Sequence, residues 1–203
     1  MALAAFFDQV PTLRLRDPLA RFLGASDDGI IEYRYCDAVR LAGHSCPTVA
    51  GAWLSARAGL VALFPDILPE RGGISVFLPE AEDEGVSGVI GQILTLITGA
   101  AAANGFHGIG GNHRRSGLLH YGCGDVTGMR LRRNDNGQMV EVQYNPRTVP
   151  SDSEQMTLMG LVLNGHADPA QRQRFAELWQ DRVRRLLIEH ADDPAVVRVR
   201  YLA

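Results

Sequence analysis

The sequence is short of cysteine and lacks every spacing that makes cysteine structural. Its 203 residues carry three, Cys36, Cys46 and Cys123, an odd and scattered set that is no disulfide framework. No C-x-x-C occurs, which excludes a zinc ribbon or finger. No C-x-x-C-H occurs either, and with 7% aromatic residues haem attachment has no support. No run of about 18 apolar residues is free of charge or loop signals. Ile90 to Ala103 is apolar but short, and Asn104-Gly105 closes it. Met1 to Phe7 lacks a basic region and meets Asp8 at once, so it does not read as a signal peptide. The expectation is a cytoplasmic protein in a reducing compartment, with no membrane partner. Basic charge is also scarce: a net charge of −3 argues against a nucleic-acid binder, which needs a basic surface. The clusters Arg130, Arg132, Arg133 and Arg182, Arg184, Arg185 read as solvated faces. G-x-S-x-G, H-E-x-x-H and P-loop patterns are missing, as are internal repeats and low-complexity tracts.

What is present is an ordinary globular composition, 46% hydrophobic and 21% charged, long enough for one large domain or a domain with an appendage. The chain centres on Gly43-His44-Ser45-Cys46-Pro47. Pro47 marks a first helical position, where a missing N–H does no harm. The run Thr48 to Leu63 then continues with helical periodicity, rich in small residues (Ala50, Gly51, Ala52, Ala56, Ala58, Gly59) that let another backbone approach closely. Pro65 and Pro69 close it.

Before this helix, Asp17-Pro18 forms an N-cap and N1 pair, with Leu19, Phe22 and Leu23 on one apolar face. Ile30 to Tyr35 reads as extended. Cys36 to Ala42 reads as a short helix with Ala38, Val39 and Leu41 turned inward. After it come a buried strand at Ile74 to Leu78, an acidic loop Glu80, Glu82, Asp83, Glu84, and a second apolar helix at Gly88 to Ala103. Phe106 to Ser116 is a glycine- and histidine-rich loop, and Gly117 to Tyr121 a strand. Gly128 to Arg133 and Gln138 to Tyr144 alternate about Asn136-Gly137, a strong hairpin signal. Glu154 to Leu163 is helical. Asp168-Pro169 opens a last helix with Phe175, Leu178, Trp179, Val183, Leu186 and Leu187 on one stripe, and Val196 to Leu202 alternates as a final strand.

Four groups of residues bear chemistry. Cys46 at a helix N-terminus gains from the local positive charge, which favours a thiolate. His44 and Cys46 are both zinc donors, but two ligands do not make a site. The alternative is a buried cysteine at a helix start beside a hydrogen-bonded histidine. The loop Gly105 to His113 offers glycines for close backbone approach and two imidazoles, His107 and His113. It is not a dinucleotide fingerprint, because His113 holds the third glycine position and the loop enters a strand. Its alternative is a surface loop with solvated histidines. Cys123 between Gly122 and Gly124 is either an accessible thiol or an idle turn residue. The acidic loop offers a carboxylate ligand or general base, or a solvated surface. His166 and His190, at a helix stop and a helix end, read as structural.

The run Tyr35-Cys36-Asp37-Ala38-Val39-Arg40-Leu41-Ala42-Gly43-His44-Ser45-Cys46-Pro47, followed by the small-residue helix, resembles the FmdE family of formylmethanofuran dehydrogenase components, whose signature is aromatic-x-D-A-V…G-H-x-C-P-G. Leu96-Ile97-Thr98-Gly99 resembles that family's helix ending in L-T-G. The likeness covers about residues 30–125, leaving about 146–203 as a C-terminal extension of a single domain, 1–203. It implies an α+β fold, a mixed or mainly antiparallel sheet packed on two central helices, with a β-hairpin and a C-terminal helix–strand segment. It also implies a homodimer and a site for zinc or another divalent transition metal, with His44 and Cys46 at the family's ligand positions. Family members occur as accessory subunits or stand-alone proteins. Three departures follow: a second cysteine is replaced near Val89, the family's G-K-G-N loop becomes the His107–His113 loop, and the C-terminal zinc ribbon is missing. His107 and His113 then stand as replacement ligands.

The expectation is a metal-binding protein that takes a small-molecule ligand and acts, if it is an enzyme, on a small carbonyl or one-carbon substrate. The metal ligands would be His44, Cys46, His107 and His113. Cys46, His113 and Glu84 would be catalytic, and Gly110 and Gly111 would form a cofactor-binding backbone. Two alternatives are an accessory protein that delivers a metal or cofactor to a partner enzyme, and a metal-free enzyme with Cys46 as nucleophile.

Overall fold

Cys46 and Phe64 bracket the helix Pro47–Leu63 (α3), the longest of the α-helical segments described. Cys46 is the N-cap, its sulfur accepting from the Val49 N–H at 3.5 Å, and Pro47 takes the first helical position. The structure is a computed structural model and describes residues 3–202. α3 is buried on nearly every side, with Trp53, Leu54, Ala56 and Leu60 in the core. Its glycines make this possible. A Cβ on Gly59 would lie 2.6 Å from Leu131 Cδ1, and one on Gly51 would collide with the Tyr144 ring. The small residues therefore admit the sheet to the helix, as the sequence indicates.

That sheet has five strands in the order β4-β3-β5-β6-β7: Ile74–Phe77 (β3), Leu119–His120 (β4), Met129–Arg133 (β5), Met139–Tyr144 (β6) and Val197–Leu202 (β7). β3 and β4 run parallel, and the other pairs are antiparallel. Alternation places Val76, Leu131, Val140 and Val142, all buried, on the α3 side. The opposite face carries a cross-strand row in register, His120, Phe77, Arg130, Glu141 and Arg200. Each apolar side chain fully buried here contributes about 1.5–3 kcal/mol. A separate two-stranded sheet joins Leu13–Arg16 (β1) to Ile30–Tyr33 (β2).

The remaining α-helices are Pro18–Phe22 (α1), Tyr35–Ala42 (α2), Ser87–Thr98 (α4), Ser153–Leu163 (α5) and Pro169–Arg184 (α6), the last continuing as a π-helical turn over Arg185–Glu189. The architecture is α+β with a mixed sheet, a β5–β6 hairpin and a C-terminal helix–strand region, as expected. None of the helices described is long and apolar enough to cross a membrane.

Three local expectations change. α4 stops at Thr98, well before Ala103, because Gly99 takes a left-handed conformation (φ 74°) and the next residues pair elsewhere. Ala101 N donates to Arg115 O at 3.0 Å, and Leu118 N and Leu119 N donate back to Ala101 O. The strand at Gly117 to Tyr121 is only two residues, Leu119–His120. The hairpin loop runs over four residues, with Arg133 N bonded to Gln138 O, rather than the tight two-residue turn that Asn-Gly favours.

Candidate functional site

The Gly43–Pro47 loop is held from several sides. Gly43 ends α2 in the left-handed region (φ 76°). Tyr35 Oη and Ser45 Oγ are 3.0 Å apart. Trp179 Nε1 and Gln180 Nε2, both on α6, donate to Ser45 O at 3.0 and 3.1 Å. Tyr144 Oη donates to Pro47 O at 2.9 Å. Burial pushes the Tyr35 and Tyr144 phenols well above their ordinary pKa, so both stay protonated. His44 is exposed, and its Nδ1 is 2.9 Å from Ala42 O. The motif is a joint between α2, α3, the sheet and α6.

The histidine loop is a tight hairpin. Ile109 and Asn112 exchange both backbone hydrogen bonds at 2.9 Å. Gly110 (φ 56°) and Gly111 (φ 82°) are the central pair, the positive-φ pattern of a type I′ turn. Both are exposed, and a Cβ on either would meet no atom within 4 Å, so these glycines make the turn itself. His107 Nδ1 lies 3.2 Å from Ser116 Oγ. His113, itself at φ 60°, stacks on Phe22 at 5.5 Å. Glu84 is exposed and accepts the Ala81 N–H at 3.3 Å.

These placements correct the metal expectation. Among the described residues, no group of three or more His, Cys, Asp or Glu side chains is placed to hold a metal ion. His44, Cys46, His107 and His113 each have other local partners, and all three cysteines are free. Zinc or another transition metal, metal-assisted catalysis and metal delivery are therefore withdrawn. The Cys46 nucleophile falls with them. Such a thiol needs a base within hydrogen-bond reach, and the partner of its sulfur among the described residues is the Val49 N–H.

The structure instead points to residues the sequence did not mark. A cavity of about 520 Å³ lies between α2, the exposed side of α4 and the segment 99–106. Leu19, Leu41, Leu96, Phe106 and Leu119 give it apolar walls, and Gln92, Asn104, Glu82 and Tyr121 add polar groups. Leu41, expected in the core, is 46% exposed here. Phe22, on the apolar face of α1, is 63% exposed and lines an adjoining hollow with His113 and Asp17.

Asp17, Arg71 and Arg115 form the floor. Asp17 caps α1, accepting from Leu19 N at 2.9 Å and Ala20 N at 3.1 Å. Its two oxygens also accept from Arg71 Nη1 at 2.5 Å and Arg115 Nη2 at 2.8 Å. Burial works to raise the Asp17 pKa. The Ala20 N–H and the two guanidiniums outweigh it and hold the carboxyl below its ordinary range. Arg71 also donates to the end of α4, to Ile97 O at 2.9 Å and Leu96 O at 3.0 Å, where a cation offsets the helix dipole. Arg115 is 7% exposed, and its Nη1 is buried without a hydrogen-bond partner among the described residues. Burial lowers its pKa, Asp17 opposes this, and Arg71 adds to the lowering; a guanidinium nonetheless stays charged. On the far wall Tyr121 Oη occupies the place a Cβ on Gly91 would take, and burial together with Glu82 raises the phenol's pKa.

No protein-family model matches the chain, and no curated protein matches it. Among solved structures, the chain is similar to a tungsten formylmethanofuran dehydrogenase FmdE-like protein from Syntrophus aciditrophicus. The two share 16% identity over 84% of this chain and 72% of that one, with a TM-score of 0.43. The likeness is a distant structural one, and no residue's role is taken from it.

Proposed function

We propose that the chain binds a small molecule in the cavity floored by Asp17, Arg71 and Arg115. The observation that carries this is the cavity itself. Its volume of about 520 Å³ lies within the range of about 300–1,000 Å³ typical of small-molecule sites. It also combines apolar walls with a few convergent polar groups, the usual makeup of such a site. The function read here is recognition, because the histidine, cysteine and acidic motifs do not assemble into a reacting set.

Gln92, Thr95 and Leu96 share the face of α4 that lines the cavity. Gln92 is exposed, so Gln92→Trp fills the cavity at a position where a large side chain leaves the core untouched. Backbone amide shifts under a small fragment library read the outcome. Fragments that perturb residues 92–106 and 115 in the wild type, and not in the Gln92→Trp variant, support the proposal. A library that perturbs none of these residues, or perturbs them equally in both proteins, overturns it. The homodimer is carried as a proposal too. Light scattering that returns twice the 22.1 kDa chain mass supports it, and a single-chain mass overturns it.

A further inference from the structure

We infer that β7 is a docking edge for an acidic segment of a partner protein, taken up as a sixth strand whose alternate carboxylates meet Arg198 and Arg200. This edge is separate from the cavity, which no residue of β7 lines.

The backbone gives the first reason. β7 ends the strand order of the sheet, and its six residues pair on one side only, with β6. From Arg198 to Leu202 no backbone group bonds anything outside that ladder among the described residues. The outward N–H and C=O groups are a template for an added strand. The opposite edge, β4, is two residues long and offers no such template.

Charge gives the second reason and selects the partner. Arg198 and Arg200 lie on the sheet face away from α3, opposite Gln143 and Glu141. Arg130 and Arg132 share that face. Four guanidiniums there meet two carboxylates: Glu141 pairs with Arg130 and Arg200, and Asp125 pairs with Arg130. Arg132 and Arg198 are exposed and have no ion-pair partner among the described residues. The face is thus positive on a chain whose net charge is −3.

Residues directly opposite on neighbouring strands share a face, with Cβ atoms about 4.5–5.5 Å apart. A strand with Asp or Glu at every second position therefore sets carboxylates against Arg198 and Arg200, and the planar guanidinium fork suits them. The intervening residues fall on the α3 side, beside half-buried Val199 and the 67% exposed Tyr201, where apolar side chains fit. The same arginines disfavour a second copy of the chain. Antiparallel self-pairing centred on Val199 places Arg198 opposite Arg200 on both sides of the centre, and like charges directly opposite are destabilising.

The test titrates the full chain with an extended peptide of about eight residues that alternates Glu with Val. Three controls accompany it: the same pattern with Lys for Glu, the Glu peptide N-methylated throughout, and an oligothymidylate of similar charge. Hydrogen exchange of the amides of residues 197–202 reads strand addition. The Glu peptide is expected to slow exchange of the outward β7 amides and to bind at least about tenfold more tightly than each control, with affinity falling as salt rises. Arg198→Gln, at an exposed side chain, should weaken it about threefold, within the range for one cross-strand charge pair. A Lys peptide that binds as well overturns the charge selection, and an N-methylated peptide that binds as well overturns the added strand; either result overturns the inference. So does unchanged affinity in Arg198→Gln, or unprotected β7 amides under saturating Glu peptide. Tighter binding of oligothymidylate assigns the face to nucleic acid and overturns it. Outward β7 amides already protected in the free chain, with twice the chain mass by light scattering, give the edge to a second copy and overturn it as well.

Discussion

Replacing Asp17 by Asn removes one charge from the cavity floor and keeps the helix cap, since Asn and Asp cap about equally well. The variant therefore isolates the ion pairs. Arg71 keeps its bonds to Ile97 and Leu96, so most of the loss falls on Arg115, whose bond to Asp17 is its one salt bridge among the described residues. Both partners are largely buried, with 5% of the Asp17 and 9% of the Arg115 side chain exposed, so solvent screens the pair little. Removing one partner of a buried pair typically costs about 3–5 kcal/mol. Asn retains a neutral acceptor, which places D17N near 3 kcal/mol; D17A adds about 1 kcal/mol for the lost cap. Guanidinium unfolding followed by the fluorescence of Trp53 and Trp179 measures both. The acid limb gives an independent readout. Because the folded pKa of Asp17 lies below its ordinary 3.8, its contribution is present above that value and is lost as pH falls through the lower folded value. D17N should flatten that part of the stability profile. A loss under about 1 kcal/mol, or an unchanged acid limb, refutes the electrostatic account of the floor.

Gly51→Ala should destabilise by about 1–3 kcal/mol, the range for overpacking a tight core, because the new methyl meets the Tyr144 ring; wild-type stability in the same denaturant assay would refute the close approach. Tyr144→Phe should lose about 1 kcal/mol with its hydrogen bond to Pro47 O, whereas exposed His44→Ala should stay within about 0.5 kcal/mol; the reverse order would return the motif to a functional role. Stoichiometric zinc, or its removal by a chelator, should leave the melting temperature unchanged. A rise of several degrees with zinc would contradict the side-chain placement.

Local chemistry accounts for what was legible. Pro47 and Cys46 at the start of α3, the alternation flanking the β5–β6 hairpin, and the Asp168-Pro169 opening of α6 all rest on residues within a few positions of one another. Hydrophobicity alone runs α4 on through Ala103 while the backbone of Arg115 draws the chain aside; the Leu96-Ile97-Thr98-Gly99 ending marks the stop that the structure has. Leu41 reads as inward because it is apolar at helical spacing, yet it faces the cavity. The His-x-Cys motif drew attention through residue type alone. Side-chain direction, set by Tyr35, Tyr144 and Trp179 from distant segments, turned it into a structural joint. Asp17 was visible only as a cap, and nothing near Arg71 or Arg115 in sequence distinguishes them from surface arginines.

The meeting of Asp17 with Arg71 and Arg115 also bears on the order in which the molecule forms. These contacts join positions 54 and 98 residues apart, while the β5–β6 hairpin closes over a four-residue loop. Loop-closure entropy rises with separation, and long-range pairings slow folding. The hairpin and the helices can form early from local interactions. The cavity floor exists only once the N-terminal segment, the segment before β3 and the base of the histidine hairpin have met. The proposed recognition is thus tied to the last and longest closures of the chain, and a partly folded molecule has no such cavity to offer.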